Sequence, residues 1–186
     1  MSAETSNGRV VLIVGGVRSG KSRYAQQLAA VGERVAFIAT AEGRDDEMAQ
    51  RIARHREERP STWTTIEAPV ALSEAVLGCN GKFDTILIDC LTLWASNLME
   101  HEQQDARRVA PHIDRLVRTL SVVSSAVILV SNEVGSGIVP DTEMGRFYRD
   151  VLGGINQRVA AVADEVLLLV AGCPLVVKQA AEKVTA

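Results

Sequence analysis

Cysteine is scarce in this sequence, and what there is does not pair. Cys79, Cys90 and Cys173 are odd in number, far apart, and form no C-x-x-C. That pattern argues against a disulfide framework or a cysteine-built zinc site and reads as reduced thiols. Long apolar runs are missing too: nothing approaches the length of a membrane span, and residues 1–8 are polar with no signal-peptide core. The expectation is a cytoplasmic protein with no membrane span. Nor is there an excess of positive charge. Twenty Lys and Arg stand against 23 Asp and Glu, a formal net charge of −3, with the basic residues scattered. Proteins whose main ligand is a nucleic-acid duplex usually carry a basic face, so no nucleic-acid partner is expected. A small anion pocket, which needs only a few local donors, stays open. Internal repeats and low-complexity linkers are absent. With 47% hydrophobic and 23% charged residues over 186 positions, the chain suits one domain with a full core and leaves little room for a second. The boundaries expected are a flexible N-terminus at 1–8, a single domain over 9–178 and a flexible tail at 179–186.

What is present is a glycine-rich junction. The aliphatic run Val10-Val11-Leu12-Ile13-Val14 stops at Gly15-Gly16-Val17-Arg18-Ser19-Gly20-Lys21-Ser22, which fits the phosphate-binding pattern G-x-x-x-x-G-K-[ST]. Glycines let backbone N–H groups curl around phosphate oxygens, and the following helix aims its positive N-terminal end at them. Lys21 would reach the β- and γ-phosphates, and Ser22 would ligate a bridging Mg²⁺. Taken alone, the pattern also describes a strand-to-helix turn with a surface lysine. A buried-type strand before it and a helical segment after it supply the context that the phosphate loop requires. The domain therefore reads as a nucleotide-binding catalytic unit that handles a nucleoside triphosphate.

Strands and helices alternate along the rest of the chain, predicting an α/β fold: a mostly parallel sheet with helices on both faces. Strands are expected at 9–14, 34–40, 63–67, 83–89, 127–131, 166–170 and 175–177. The last two form an antiparallel C-terminal hairpin around Gly172-Cys173-Pro174. Helices are expected at 20–31, from about 45 to before Pro60, at 70–77, 91–99, 105–124 and 142–163, the last weakened by Gly153-Gly154. In the 105–124 helix, Val109, Ile113, Leu116, Val117 and Leu120 form one apolar stripe.

Several residues could carry chemistry. Asp89 ends an apolar strand, where a second acidic residue of a phosphate-loop protein approaches Mg²⁺; a helix cap is the alternative. Arg51, Arg54, Arg56 and Arg59 surround His55 on one predicted helix. On residue physics alone, a packed histidine among solvated arginines is the better reading; the other is a neutral imidazole acting as nucleophile or base beside phosphate-holding arginines. Glu67 would contact a nucleotide sugar or orient a nucleophile, or is simply an exposed strand end. The loop at 131–140, with Gly135 and Gly137, follows a buried-type strand and so lies where open α/β sheets bind ligands. Arg146, Arg149 and Asn156 follow on the next helix and could face the same cleft.

Together these stretches resemble a known family. Gly15-Gly16-x-Arg18-Ser19-Gly20-Lys21-Ser22, Ala39-Thr40-Ala41, Asp46-Glu47-Met48-x-x-Arg51-Ile52-x-x-His55-Arg56, Arg59-Pro60, Trp63-x-Thr65-x-Glu67, Asp89-Cys90-Leu91-Thr92, Asn97-Leu98 and Asn132-Glu133-Val134-Gly135-x-Gly137-Ile138-Val139-Pro140 are similar to the bifunctional adenosylcobinamide kinase/adenosylcobinamide-phosphate guanylyltransferases of cobalamin biosynthesis. Phe147-x-x-Asp150, Asn156-Gln157 and Ala163-Asp164-Glu165-Val166 continue the match, which runs from about Val10 to Lys178.

The resemblance implies a RecA-like phosphate-loop domain assembled as a homotrimer. It implies phosphorylation of adenosylcobinamide by ATP or GTP, then transfer of GMP from GTP to the new phosphate through a guanylylated histidine, releasing pyrophosphate. That histidine corresponds to His55, which overturns the packed reading. The implied nucleotide contacts are Gly15, Gly16, Val17, Arg18, Ser19, Gly20, Lys21, Ser22, Thr40, Ala41, Glu42, Arg56, Glu57, Glu58, Arg59, Glu67 and Asp89. Ser22 and Asp89 would hold Mg²⁺, and adenosylcobinamide, its phosphate, ATP and GTP are the expected partners. Two rivals are a phosphate-loop kinase of another small metabolite and a RecA-like NTPase acting on a macromolecular partner.

Overall fold

The computed structural model describes residues 8–43, 46, 50, 53, 56, 57 and 59–179. In chain order the elements are β1 (Val10–Gly15), α1 (Lys21–Ala29), β2 (Val35–Ala39), β3 (Thr64–Glu67), α2 (Leu72–Cys79), β4 (Thr85–Asp89), α3 (Leu91–His101), α4 (Ala106–Leu120), β5 (Ala126–Val130), α5 (Glu143–Val162), β6 (Glu165–Val170) and β7 (Cys173–Gln179). Between β2 and β3 the described residues Asp46, Gln50, Ala53, Arg56 and Glu57 are helical.

The strands form one seven-stranded sheet in the order β3-β2-β4-β5-β1-β6-β7. β1 to β6 run parallel, and β7 returns antiparallel to β6. Strand side chains alternate between two cores, as a period of two demands. Leu12, Ile38, Ile86 and Leu129 face α2, α3, α4 and α5, whereas Ile13, Phe37, Leu87 and Ile128 face Ala25 and Ala29 of α1. Helices thus cover both faces. On α4, Val109, Ile113, Leu116 and Leu120 are buried, each stabilising the packed state by about 1.5–3 kcal/mol. Trp94, 1% exposed, fills the centre of that core. Its indole N–H donates to the Val70 carbonyl at 2.9 Å, so the burial leaves no orphan donor.

One sequence expectation holds and another changes. The helix expected over 142–163 is present as α5, unbroken over Glu143–Val162, because Leu152, Ile155 and Val159 bury one stripe across Gly153-Gly154. Helix interiors tolerate Gly at roughly 1 kcal/mol each, and that packing outweighs it. The C-terminal turn is shifted. Ala171 and Gly172 form it, both with positive φ (51° and 83°), the conformation of a tight two-residue hairpin turn. Cys173 and Pro174 therefore belong to β7, whose outer edge can lack a donor without breaking the ladder. Gly8, whose N–H donates to Val123 O at 2.9 Å, and Gln179, paired with Glu165, bracket this fold.

Register places the functional rim. Ala39 pairs with Asp89, Asp89 with Val130 and Ile13 with Val130. The carboxyl ends of four neighbouring strands are therefore level, and the loops leaving them meet above the sheet. From β1 the chain crosses β5 and β4 to reach β2, and from β5 it crosses back over β1 to β6. This reversal opens a crevice at the strand ends.

Candidate active site

The loop after β1 is built by close packing. A Cβ on Gly15 would lie 2.5 Å from the Leu169 carbonyl oxygen and 2.8 Å from Ser19 Oγ, so only glycine fits between β6 and the loop. Gly20 adopts φ +93° and begins α1 with no side-chain cap. No acidic residue occupies the first turn of that helix, leaving its end suited to an anion. The β6–β7 turn supports the loop from outside, with Gly172 N–H donating to Ser19 O at 2.9 Å. Lys21 is 7% exposed. Its Nζ donates to Gly16 O at 2.6 Å and lies 3.4 Å from Ser19 Oγ. Burial pushes the Lys21 ammonium below its usual range, while nearby Cys90 and Asp89 work the other way.

These residues open onto a cleft of about 610 Å³ at the strand ends. Arg18, Lys21, Arg23, Arg56 and Arg59 line it against two carboxylates, Glu67 and Asp89. A chain of net negative charge thus concentrates cations in one concavity, as a polyphosphate site requires. Val17, Ser19, Gly20, Ser22 and Ala41 also line the cleft. Gly15 and Gly16 lie at the base of the loop, while Glu42 and the exposed Glu57 are not on the cleft wall.

Asp89 is half-buried at the end of β4, and α3 starts beyond it with Cys90, not Asp89, as its cap residue. The Asp89–Cys90 peptide is cis. Thr40 is wholly buried and turned to this junction: its hydroxyl donates to Cys90 O at 2.7 Å and accepts from Cys90 N–H at 2.9 Å. Thr40 O in turn accepts from Asn97 Nδ2 at 2.7 Å. The same amide reaches Pro69 O at 3.0 Å, tying the ends of β2 and β3 to α3. The Cys90 thiol is pushed up to about 11, by burial first and by Asp89 second, so it stays protonated at neutral pH.

On the far wall Arg59 sits over Phe37, its guanidinium carbon 3.6 Å from the ring centroid. Its buried Nε has no hydrogen-bond partner among the described residues, and the contact with the ring is what orients it there. Burial lowers its pKa first, Asp89 opposes that, and Arg56 adds to it. Arg56 is 62% exposed and lies 3.8 Å from Glu67 Oε1. His55, Glu58, Arg51 and Arg54 lie outside the described residues.

The loop after β5 closes the remaining side. Asn132 N–H donates to Thr92 Oγ1, and Asn132 O accepts from Asn156 Nδ2, each at 2.9 Å. Asn156 therefore braces this loop from α5. The Glu133 carboxylate folds back on Gly135 N–H and Ser136 N–H. Arg146 instead bonds the carbonyls of Pro140 and Asp141. Arg23, Thr65, Thr92, Leu93 and Asn132 line the cleft without having been singled out as contacts in sequence. Their shared signal is position, since Thr92, Leu93 and Asn132 lie within a few residues of a strand's carboxyl end.

Chemically, this is a water-accessible site with an uncapped helix end, a desolvated lysine, hard oxygen donors at Ser22 and Asp89, and planar cations opposite. It suits transfer of a group from a nucleoside triphosphate.

Comparison with known proteins points the same way. Residues 11–177 match the family model described as cobinamide kinase / cobinamide phosphate guanyltransferase. The bifunctional adenosylcobalamin biosynthesis protein CobP of Pseudomonas aeruginosa is 43% identical over 90% of this chain and 96% of its own length. The CobU proteins of Salmonella typhimurium and Escherichia coli are 39% and 36% identical, each over 91% of this chain and 99% of theirs. Among solved structures, an ATPase of a bacterial type III secretion system superposes with a TM-score of 0.54 at 13% identity. It covers 87% of this chain, which spans 51% of that longer one, and the likeness extends to the fold alone.

Proposed function

The chain belongs to the cobinamide kinase / cobinamide phosphate guanyltransferase family, and on that premise we propose that it performs both of the reactions the family name describes. It is a bifunctional transferase of cobalamin assembly. It phosphorylates adenosylcobinamide with ATP or GTP, then moves GMP from GTP onto that phosphate, yielding adenosylcobinamide-GDP and pyrophosphate. The observation that carries the reading is the cleft itself, which holds Lys21, Ser22, Asp89, Arg56 and Arg59 on one wall-to-wall surface.

In the kinase step, the Gly15–Ser22 loop and the uncapped start of α1 hold the phosphates. Lys21 leaves Gly16 O to follow charge onto the β- and γ-phosphoryl oxygens. Ser22 and Asp89 line the same cleft and offer hard oxygens, the donor set Mg²⁺ takes alongside phosphates. Bound there, Mg²⁺ would neutralise charge on the β- and γ-oxygens. In the second step the phosphate loop supplies no nucleophile for the α-phosphate. The His55 imidazole forms the bond to the α-phosphorus as the bond to the bridging α–β oxygen breaks, and pyrophosphate leaves. An oxygen of the cobinamide phosphate then attacks the same phosphorus and the P–N bond breaks. Arg56 and Arg59 supply positive charge where negative charge accumulates.

The working form is a homotrimer in the cytoplasm, with residues 9–178 as its single catalytic unit. Support for an assembly comes from β7, whose Leu175, Val176 and Val177 are exposed on a sheet edge that no other strand pairs among the described residues.

The experiment is differential labelling. GTP labelled at the α-phosphate should leave acid-labile, base-stable label on the parent protein, and γ-labelled GTP should leave none. His55→Ala should lose the label and all guanylyl transfer yet keep kinase activity. Label persisting in His55→Ala would assign the nucleophile elsewhere. A parent that takes up no α-label, yet phosphorylates a small metabolite, would leave a plain kinase.

A further inference from the structure

β5 lies between β1 and β4, so the segment after Val130 emerges between the phosphate loop and Asp89. Asn132 sits there and lines the cleft with Lys21, Ser22, Asp89 and Thr92. Its backbone is pinned on both sides. The N–H donates to Thr92 Oγ1 and the carbonyl accepts from Asn156 Nδ2, each at 2.9 Å. Asn156 is itself oriented, because its Oδ1 accepts from Ser131 Oγ at 2.6 Å while a carbonyl partner leaves only its NH₂ end to face Asn132. Thr92 O accepts from the Tyr148 hydroxyl at 3.2 Å, a second tie from α5. No described residue hydrogen-bonds the Asn132 side-chain amide. With both backbone groups occupied, that amide is what Asn132 offers the cleft.

A group fixed at its root and open at its tip is what positioning a reactant requires. Arg18, Lys21, Arg23 and Arg59 already line the cleft as cations for phosphates, and a neutral amide adds little to that charge. It does match an alcohol, whose O–H needs an acceptor to fix its direction. We propose that Asn132 orients the acceptor hydroxyl for attack on the γ-phosphate, and that Thr92 and Asn156 act through it as positioning residues. The inference rests on the kinase reading above.

In that step Asn132 Oδ1 accepts from the O–H and turns the oxygen lone pair toward phosphorus. The acceptor oxygen bonds to the γ-phosphorus as the bond to the β–γ bridging oxygen breaks, and the electron pair leaves with the nucleoside diphosphate. An amide does not take up a proton, so the hydroxyl proton passes to an oxygen of the transferred phosphoryl group and then to solvent.

The test is steady-state phosphorylation of adenosylcobinamide by GTP with Mg²⁺, using the full chain, Asn132→Ala, Thr92→Val and the double variant. Asn132→Ala should lower kcat about 100-fold while KM for GTP moves less than about threefold, because loss of orientation affects the reacting geometry and not nucleotide binding. Thr92→Val should lower kcat about tenfold, and the double variant should be no slower than Asn132→Ala, since Thr92 has nothing left to act through. A kcat within threefold of the parent in Asn132→Ala overturns the proposal. So does a loss carried wholly by KM for GTP, which would move the amide onto the nucleotide, and so does an additive double variant, which would separate Thr92 from Asn132. A parent chain that phosphorylates no corrinoid overturns the kinase reading itself, and with it this inference, before any variant is made. Should Thr92→Val fail to fold, Asn132→Ala decides alone.

Discussion

The two cationic walls of the cleft are built on opposite plans. On one, Lys21 is buried and bonded to the carbonyl of its own loop, which Gly15, closed to any Cβ, and Gly20, at φ +93°, hold in shape. On the other, Arg56 and Glu67 form an ion pair of 3.8 Å with 62% and 70% of their side chains exposed, a contact worth roughly 0–1 kcal/mol. Arg59 is intermediate, set over the Phe37 ring with an Nε that has no hydrogen-bond partner among the described residues. The first wall is preorganised before any ligand arrives, so its charge acts in a water-poor setting where it counts most. The second is assembled from long side chains that a ligand must still order. This contrast matches a division of chemistry: in-line transfer at the γ-phosphate needs a rigid cradle, whereas reaction at the α-phosphate needs a nucleophile and charge brought in from a neighbouring segment.

The largest effect should follow from breaking the rigid wall. Lys21→Ala removes a desolvated charge whose replacement by water is poor, and phosphoryl transfer should fall by about 10³-fold. The fold should hold, because Lys21 bonds only within its own loop among the described residues. Near-normal kinase turnover in this variant would show that the cradle does not hold the reacting phosphates. Asp89→Asn comes next. A neutral amide is a weaker ligand for a hard cation, so the Mg²⁺ concentration for half-maximal activity should rise about tenfold. The cap position of α3 is Cys90, one residue beyond Asp89. An unchanged Mg²⁺ titration would remove Asp89 from the metal site.

How much of this was legible in the sequence differs by wall. The rigid wall is written locally: an aliphatic strand, a glycine where no Cβ fits and another at positive φ, then a helix start, all between Val10 and Ala29. Strand ends are legible for the same reason, and Asp89 closes β4 as expected. What could not be read is contact between distant segments. Asn132 is pinned by residues 40 and 24 positions away, and Thr40 is consumed by Cys90, 50 positions on, so nothing local marks these ties. The helix over 142–163 was legible despite Gly153-Gly154, because helix propensity is a weak prior beside the apolar stripe of Leu152, Ile155 and Val159. In the hairpin, Gly172-Cys173-Pro174 carries turn-forming residues, but positive φ falls on Ala171 and Gly172, one position earlier than composition suggests. The catalytic reading of His55 came from resemblance rather than from the pattern of residues around it.

The smallest effect should come from the second wall, and it sharpens the contrast. The Arg59 guanidinium is fixed by its face on Phe37, an interaction worth about 0.5–2 kcal/mol for a cation over a ring. Arg59→Lys keeps the charge but has neither the plane to stack nor the fork to grip a phosphate. Arg59→Ala loses both. If this wall works mainly through diffuse charge shared with Arg18, Arg23 and Arg56, removing one member should weaken triphosphate binding only about tenfold, near 1.4 kcal/mol. If stacking matters as well, Arg59→Lys should lie between the parent and Arg59→Ala, at about threefold. Calorimetric titration with a non-hydrolysable GTP analogue would measure both, and repeating it at high salt adds a control. Diffuse charge is screened over about 8–10 Å at physiological ionic strength, so the gap between parent and Arg59→Ala should narrow as salt rises. A loss as large as that of Lys21→Ala, insensitive to salt, would make Arg59 as preorganised as the lysine and erase the distinction between the two walls.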